Sequence, residues 1–335
     1  MDTDSAQKAI ATKEWKKAVA SYESSDTRRS LWQLANSVFP FLLLWYLMYR
    51  SLEISYWLTL LLAFPTAGLM IRIFIIFHDC GHGSFFESKR ANTVVGYITG
   101  ILTFTPYHHW RHHHAIHHAS AGDLDRRGVG DVMIWTVDEF RAATAWKKLV
   151  YRISHHPLIV FTVGAWGIFV LAHRFPTKPG GKREATSVHL TNLALLAIFL
   201  VLSVLIGWQA VLLVQIPILM IATSAGVWLF FIQHTYQGVY WARHNEWQYA
   251  MVGLQGASFY KLPKMLQWFT GNIGYHHIHH LSPRVPNYKL EACHNASSLL
   301  QKVPPLTLTN SLRSLSFRLY DEARRMLVGY DTIKA

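Results

Sequence analysis

The chain has little charge and almost no cysteine for its length. Charged residues make up 15% of the 335 residues and hydrophobic residues 51%, whereas about a quarter of a soluble globular protein is charged. The two cysteines, Cys80 and Cys293, are too few for a disulfide framework or a paired-cysteine metal site. Residues 1–19 are charged throughout and lack the apolar core of a signal peptide. These absences exclude a disulfide-rich secreted domain and indicate a membrane protein whose functional site faces a reducing compartment.

The excess of positive charge does not follow a nucleic-acid-binding pattern. The formal net charge is +13, but no run of lysine and arginine with interleaved aromatic residues is present. A basic surface is also typical of proteins that meet anionic lipid headgroups or an acidic protein partner. We therefore expect no nucleic-acid partner.

Four apolar stretches approach or exceed the roughly 20 residues that a transmembrane helix needs. They fall into two close pairs, 31–49 with 56–77 and 190–207 with 210–232. Because only a few residues join the members of each pair, we predict two helical hairpins, over 31–77 and 190–232.

Histidine is abundant, with 20 residues, and it is clustered. In three clusters the spacing is i, i+4 or i, i+3, i+4, which places the imidazoles on one face of a helix. The three boxes are His78 and His82; His114, His117 and His118; and His276, His279 and His280.

Eight imidazoles exceed the four ligands of a single zinc ion and suit two transition-metal ions with room for an exchangeable oxygen ligand. Imidazole binds zinc, copper, iron and nickel alike, so the ligand type alone does not identify the metal. The neighbouring histidines are expected to be surface or supporting groups, because His113 and His277 point away from the shared faces. The others of this kind are His108, His109 and His112.

Two shorter apolar stretches, 94–107 and 158–173, are marginal for a membrane crossing. If either crossed alone, the histidine clusters before and after it would face opposite compartments. A site shared by all three boxes requires that neither crosses alone, so we interpret both stretches as re-entrant or interfacial segments.

The distribution of positive charge predicts the orientation. Residues 174–188 carry four cations, whereas the hairpin links near 51–55 and 208–209 carry neither lysine nor arginine. By the positive-inside rule, the histidine boxes and both termini are cytoplasmic. Arg72, near the cytoplasmic end of its span, is expected to extend its guanidinium to the interface.

The fold class predicted is therefore all-α and integral to the membrane. It consists of four transmembrane helices in two hairpins, two re-entrant segments and a helical cytoplasmic cap that carries the metal site. The cap is assembled from residues 78–156 and 234–335 of a single domain, 1–335. Outside the hairpins, the regions 1–30, 78–189 and 233–335 are cytoplasmic or interfacial, with amphipathic surface helices expected at 5–20 and 311–328.

The three boxes resemble those of the membrane fatty acid desaturase family, H-x(3,4)-H followed by two copies of H-x(2,3)-H-H. The likeness extends over nearly the whole chain and is greatest to bacterial acyl-lipid desaturases, in particular the Δ5 type of Gram-positive bacteria. The Δ12 (omega-6) enzymes of plants and cyanobacteria are similar more loosely. The segments that carry the resemblance are FHDCGHGSFF (77–86), HAIHHASAGDLDRRGVGD (114–131), GVWLFFIQHTY (226–236) and SFYKLPKMLQWFTGNIGYHHIHHLSPRVPNYKLE (258–291).

This resemblance implies an O2-dependent desaturase of the plasma membrane that introduces a cis double bond into the acyl chains of membrane phospholipids. It implies two iron ions and electrons from an external donor, and it favours the Δ5 position. The haem motif of a fused cytochrome b5 domain is absent, so ferredoxin or flavodoxin is the expected donor, and both are typically acidic. A ninth ligand is implied between the last span and the third box, which corresponds to His234.

Further residues follow from the same interpretation. Neutral imidazoles leave an iron pair highly cationic, so acidic or polar side chains are expected to orient the ligands; the candidates are Asp79, Asp123, Asp125, Asp131 and Asn272. An apolar tunnel is expected to hold the acyl chain; its candidate lining residues are Trp228, Phe230, Phe231 and Tyr236.

Two alternatives remain open from the sequence. A hydroxylase or ketolase on the same scaffold would carry the same boxes, since oxygen transfer and desaturation share an iron-bound oxidant. A metal transporter would place ionisable ligands inside the spans, near the middle of the bilayer, whereas these histidines lie at span ends and outside the membrane.

Overall fold

The computed structural model describes residues 2–130 and 133–333. The helices, in chain order, are α1 (Thr3–Ala11), α2 (Glu14–Ala20), α3 (Thr27–Ser51), α4 (Tyr56–His82), α5 (Lys89–Leu102), α6 (Tyr107–Ser120), α7 (Val137–Ala142), α8 (Ala145–Ser154), α9 (Lys182–Ile206), α10 (Trp208–His234), α11 (Tyr249–Met251), α12 (Lys264–Phe269), α13 (His276–Leu281), α14 (Asn287–Ala296), α15 (Ser298–Gln301) and α16 (Leu308–Ser311).

Short strands and irregular helices complete the described part of the chain. The strands are β1 (Trp135–Thr136), β2 (Phe259–Tyr260), β3 (Pro305–Leu306), β4 (Leu319–Asp321) and β5 (Met326–Val328). The π-helical segments are Ile159–Gly164, Gly167–Leu171 and Val252–Gly256, and the 3-10 turns are Ala172–Arg174, Leu312–Ser316 and Tyr330–Ile333.

Four helices, α3, α4, α9 and α10, are long and apolar enough to cross a membrane. They form the two predicted hairpins, with Gly207 at a φ of 85° turning the chain between α9 and α10. Their outward side chains are apolar and exposed; Phe39 is 71% and Val204 86% exposed. Such a surface is compatible with lipid rather than water, which confirms the prediction of an all-α membrane protein.

The helices run past the apolar stretches that predicted them. α4 extends to His82, where Gly83 adopts a left-handed φ of 72° and ends the helix. α10 likewise extends to His234. The membrane helices themselves therefore carry histidines out to the cap.

Arg72 does not extend to the interface as expected. It is buried, its Nε donates to Ser37 Oγ in α3 at 3.1 Å, and its Nη1 donates to the Trp268 carbonyl of α12. The guanidinium also lies over the Trp268 ring, 4.1 Å from its centroid. A buried arginine needs partners for its donors, and these contacts provide them while fixing α12 against the first hairpin.

The two marginal stretches do not make a straight crossing. The first lies mostly in α5, whose 14 residues reach roughly 21 Å at 1.5 Å per residue, less than the hydrocarbon thickness of about 30 Å. The second belongs to a bent pair, α8 and Ile159–Arg174, that meet at 64°. Because His117 before this pair contacts His234 after the α9–α10 hairpin, the pair must begin and end on one side of the membrane. This agrees with a re-entrant segment.

The expectation of an amphipathic helix over 311–328 is wrong. Beyond a 3-10 turn the chain forms the antiparallel pair β4–β5, and β4 pairs in parallel with β1. Leu319 and Tyr320 are both buried, and the Tyr320 hydroxyl donates to the Trp241 carbonyl at 2.9 Å. Near the N-terminus, the expected helix over 5–20 is interrupted at Lys13, whose φ is 54°.

Candidate metal centre

Four segments bring histidines to one place. The last turn of α4 presents His78 and His82, α6 presents its H-x-x-H-H triplet, and the short helix α13 presents the third box. The end of α10 contributes His234. All are buried or half-buried.

The nine predicted histidines form two groups, within each of which the candidate ligand atoms lie within 4.8 Å of one another. The first histidine group consists of His78, His82, His114, His118 and His279. The second histidine group consists of His117, His234, His276 and His280.

Contacts between ring nitrogens suggest what these groups hold. In the first group His118 Nε2 lies 3.1 Å from His114 Nε2 and 2.9 Å from His279 Nε2. In the second, His234 Nε2 lies 3.1 Å from the Nε2 atoms of both His117 and His276. Each nitrogen of a neutral imidazole has either one N–H or one lone pair, so the central Nε2 cannot form a full hydrogen bond with both neighbours.

Several buried ring nitrogens have no hydrogen-bond partner among the described residues. They include His82 Nε2 and both nitrogens of His280. Unpartnered buried polar atoms are costly unless something satisfies them. Convergent lone pairs at this spacing fit a transition-metal cation in each group.

Burial keeps the imidazoles in the form that binds metal. Loss of hydration, with the neighbouring imidazoles, lowers the pKa values of His118, His279 and His280 well below the usual range. These side chains are therefore neutral near pH 7, and a neutral imidazole has the free lone pair that a metal needs.

Rings of the first histidine group pack directly against rings of the second. The His118 and His280 rings stack with their centroids 4.3 Å apart, and the His276 and His279 ring centroids are 5.2 Å apart. Each of these pairs joins a residue of the first group to one of the second. The arrangement is suited to two adjacent metal ions.

A buried chain of hydrogen bonds supports the first group. Asp79 Oδ1 lies 3.0 Å from His78 Nδ1, and Asp79 Oδ2 accepts from the backbone N–H and the side-chain Nδ2 of Asn287 at 2.7 and 2.8 Å. Asn287 Oδ1 in turn accepts from Gln33 Nε2 at 2.8 Å. In the second group, His234 Nδ1 lies 3.0 Å from the Gly256 carbonyl. Such outer contacts fix the ring orientation and the protonated nitrogen.

The other residues that were expected to orient the metal ligands do not contact the nine histidines directly, where the structure describes them. Asp123 bonds to Arg126 and His244, and Asp125 bonds to Arg243 and the His244 backbone; neither bonds to the nine histidines. Asn272 donates to the Asn287 carbonyl at 3.2 Å, and it is therefore connected to Asp79 only through Asn287. Asp131 lies outside the described residues.

The off-face histidines join neither group. His277 Nε2 lies 3.3 Å from His294 Nδ1, and His108 packs on the rings of Tyr97 and Tyr107. His109 and His113 both contact Thr177, and His112 also lies outside both groups.

An apolar cavity of about 410 Å³ runs up to the histidines. Its walls come from α4, α10 and the re-entrant segment, and it is bordered by His78 and His114 of the first group and His276 of the second. Of the expected tunnel residues, Phe230 lines this cavity. Trp228 and Phe231 instead pack on Phe161, on another face of α10, and the Tyr236 hydroxyl donates to the Gln255 carbonyl at 2.6 Å.

Fold and site together describe a membrane protein with a buried multi-histidine centre at one end of an apolar cavity. Residues 55–306 match the model of the fatty acid desaturase family. The chain belongs to the fatty acid desaturase family and is thus an oxidoreductase, as its resemblance predicted. Membership of this family also argues against the metal transporter.

Individual relatives show how far the similarity extends. The chain is 49% identical over 322 residues to the fatty acid desaturase of Bacillus subtilis, which covers 96% of this chain and 92% of that protein. It is 28% identical over 272 residues to the sn-1 oleoyl-lipid 12-desaturase of Anabaena variabilis, covering 74% and 71%. It is 29% identical over 237 residues to the sn-1 acyl-lipid omega-3 desaturase (ferredoxin) of Synechocystis sp., covering 65% and 61%.

Proposed function

We propose that this protein introduces a cis double bond, at the Δ5 position, into the acyl chains of membrane phospholipids, using two histidine-bound iron ions and O2. The observation that carries the proposal is the apolar cavity, which leads from the membrane helices to both histidine groups. A long apolar chain fits such a cavity, whereas a polar substrate does not.

The nine histidines of the two groups are the proposed iron ligands. When bound, an iron pair would supply, with O2 and external electrons, the oxidising power needed to remove hydrogen from an unactivated methylene, which no amino-acid side chain can do. Asp79 would hold His78 with its proton on Nδ1 and its Nε2 lone pair turned inward. The Gly256 carbonyl would do the same for His234.

The cavity walls would position the chain and exclude water. Met70, Ile71 and Phe74 of α4 line the cavity together with Gly226 and Phe230 of α10. Phe74 packs edge-on against Trp110, whose ring stacks on His114 with centroids 4.3 Å apart. An acyl chain held there is dehydrated, and its reacting methylenes are confined beside the histidines.

The same evidence supports lipid-bound substrates and the proposed orientation in the membrane. The cavity is built between membrane helices, so a chain can enter it from the bilayer. The names of the Anabaena and Synechocystis relatives specify oleoyl-lipid and acyl-lipid substrates. Positive charge flanks the histidine-bearing ends of the helices, which supports a plasma-membrane protein with its centre and termini in the cytoplasm.

Ferredoxin or flavodoxin is the proposed electron donor. A separate opening of about 180 Å³ reaches His82 and His114 between Gly81 and Ala115. Exposed Arg111 borders this opening and offers a positive contact for an acidic donor. The Synechocystis relative carries ferredoxin in its name.

Expression in a bacterium that lacks this desaturation, followed by gas chromatography–mass spectrometry of the lipids, tests the proposal. Wild type is expected to yield Δ5 cis-unsaturated chains, and His117→Ala none, although it reaches the membrane. His112→Ala is the matched control, since His112 belongs to neither group. Hydroxylated chains without double bonds, or an active His117→Ala variant, would overturn the proposal.

A further inference from the structure

A second polar cluster lies along the same cavity, away from the two histidine groups. His109, His113, His173 and Thr177 all line the cavity. We call these four residues the polar rim. Elsewhere the cavity wall is mostly apolar, so the rim is a distinct feature that the metal centre does not account for.

Thr177 contacts two of the histidines of the polar rim. Its Oγ1 lies 2.9 Å from His109 Nε2 and 3.3 Å from His113 Nε2, and its backbone N–H donates to His109 Nε2 at 3.3 Å. Since Nε2 of His109 accepts a hydrogen bond, a neutral His109 must carry its proton on Nδ1. Burial lowers the pKa of His109 to about 4, so the ring is neutral near pH 7.

The rim contains buried hydrogen-bonding atoms that nothing in the described chain satisfies. His109 is only 6% exposed, and its Nδ1 has no partner among the described residues. His173 Nδ1 is also buried without a partner there. The Nδ1–H of a neutral His109 is thus a buried donor without an acceptor, which is costly, and an acceptor supplied from the cavity would remove that cost.

The rim opens at a positively charged surface. Thr177 is exposed, and it lies five residues before α9 begins at Lys182. Lys178, Lys182 and Arg183 are exposed beside it, while the carboxylate of Glu184 accepts from the Gly181 N–H. Cations at the end of a membrane helix attract anionic headgroups. A ligand of this site should therefore combine an anionic head, a hydrogen-bond acceptor and an apolar tail.

We propose that the polar rim binds the ester carbonyl of the phospholipid whose acyl chain occupies the cavity. This inference rests on the proposed function and adds a subsite to it. The phosphate would lie outside among the lysines, and the chain would continue inward to the histidine groups.

The rim and the metal centre are held at a fixed separation because both use α6. His109 and His114 are five residues apart on this helix, which corresponds to roughly 7.5 Å along its axis. Only a short run of methylenes fits in that interval. A carbonyl held at the rim would thus place the new double bond near the carboxyl end of the chain.

A pair of lipids that differ only at the carbonyl tests the subsite. Displacement of a fluorescent phospholipid would be measured on the iron-loaded protein without an electron donor, so no turnover occurs. The competitors are a diacyl phosphatidylglycerol and the dialkyl ether analogue with the same chains. Wild type is expected to prefer the diacyl lipid roughly 2- to 10-fold, the effect of one hydrogen bond.

Variants of His109 and Thr177 identify the rim as the source of that preference. His109→Phe removes the unpartnered Nδ1 donor, keeps a ring of similar size, and is expected to bring the ratio close to one. Thr177→Val is the matched control, because the Thr177 backbone N–H still donates to His109 Nε2 and keeps the proton on Nδ1, so the preference is expected to persist. Iron content equal to wild type would show that the metal centre is intact in each variant.

The outcomes separate this inference from the proposed function. Equal binding of the two lipids by wild type, or a ratio in His109→Phe that is unchanged from wild type, would overturn the subsite. Displacement by a free fatty acid as effective as by the diacyl lipid would contradict the ester. Desaturation in cells can succeed in each of these cases, whereas its absence in wild type would refute the function itself.

Discussion

Replacing Asp79 with Asn tests whether the buried bonds behind His78 keep the first histidine group in its metal-binding form. Asp79 serves three donors, the backbone and side-chain N–H groups of Asn287 and the Nδ1 of His78. An asparagine has one acceptor oxygen, which the two Asn287 donors would occupy. Its NH2 group would then face His78 Nδ1 and require that nitrogen to accept. The His78 proton would move to Nε2, which removes the lone pair turned towards the group.

The expected loss follows from that change of tautomer. Removing an outer partner of a metal-binding histidine lowers metal affinity about 10- to 100-fold, or about 1.4 to 2.7 kcal/mol. The measurement is iron retained by the purified protein against increasing concentrations of a chelator. Asp125→Asn is the matched control, because Asp125 bonds to Arg243 and His244 rather than to a histidine of either group. Iron retention by Asp79→Asn equal to that of the control would refute this reasoning.

Three further outcomes are expected. Gly226 lines the cavity and a Cβ there would meet nothing within 4 Å, so Gly226→Leu should fold but desaturate shorter acyl chains than wild type. Gly167→Leu, at an equally open position outside the cavity, should leave the chain length unchanged. Identical product profiles for the two variants would contradict the cavity assignment. Arg111→Glu should slow reduction of the metal centre by an acidic donor at low salt while leaving iron content unchanged. Arg313→Glu, at an exposed position away from the opening, is the control. An equal effect of the two substitutions would contradict the docking site. Removing the metal with a chelator should lower the midpoint of thermal unfolding, since a ligand that binds only the folded state stabilises it, and an unchanged midpoint would argue against bound metal.

Helical spacing was sufficient to predict that the histidines within the three boxes would converge. In an H-x-x-H-H box the three rings lie on one side of a helix, and α6 and α13 indeed direct theirs to a common centre. Spacing could not show how the rings divide, since adjacent His117 and His118 belong to different groups. His234 stands alone in its segment without a local pattern, and only the resemblance to a family pointed to it.

Long-range contacts account for what the sequence could not predict. Asn287 lies 208 residues from Asp79, and Gln33 lies 254 residues from Asn287, so no local pattern links them. The helix expected over 311–328 failed for a similar reason, because β4 is stabilised by pairing with the distant strand β1. Trp228 and Phe231 were assigned to the tunnel by residue type, but the face of α10 they occupy is decided by packing on Phe161.

Helix α6 explains why so much of the site depends on one short segment. Successive residues turn by about 100°, so its histidines face several directions. His114 and His118 face the first group, His117 faces the second, and His109 and His113 face Thr177 at the rim. Tyr107 fixes the start of the helix, since its hydroxyl donates to the Cys80 carbonyl of α4 at 2.7 Å and its ring lies where a Cβ on Gly96 would be 2.2 Å away. The distances between the two groups and the rim are thus set within one rigid element that is anchored to the helix carrying His78 and His82.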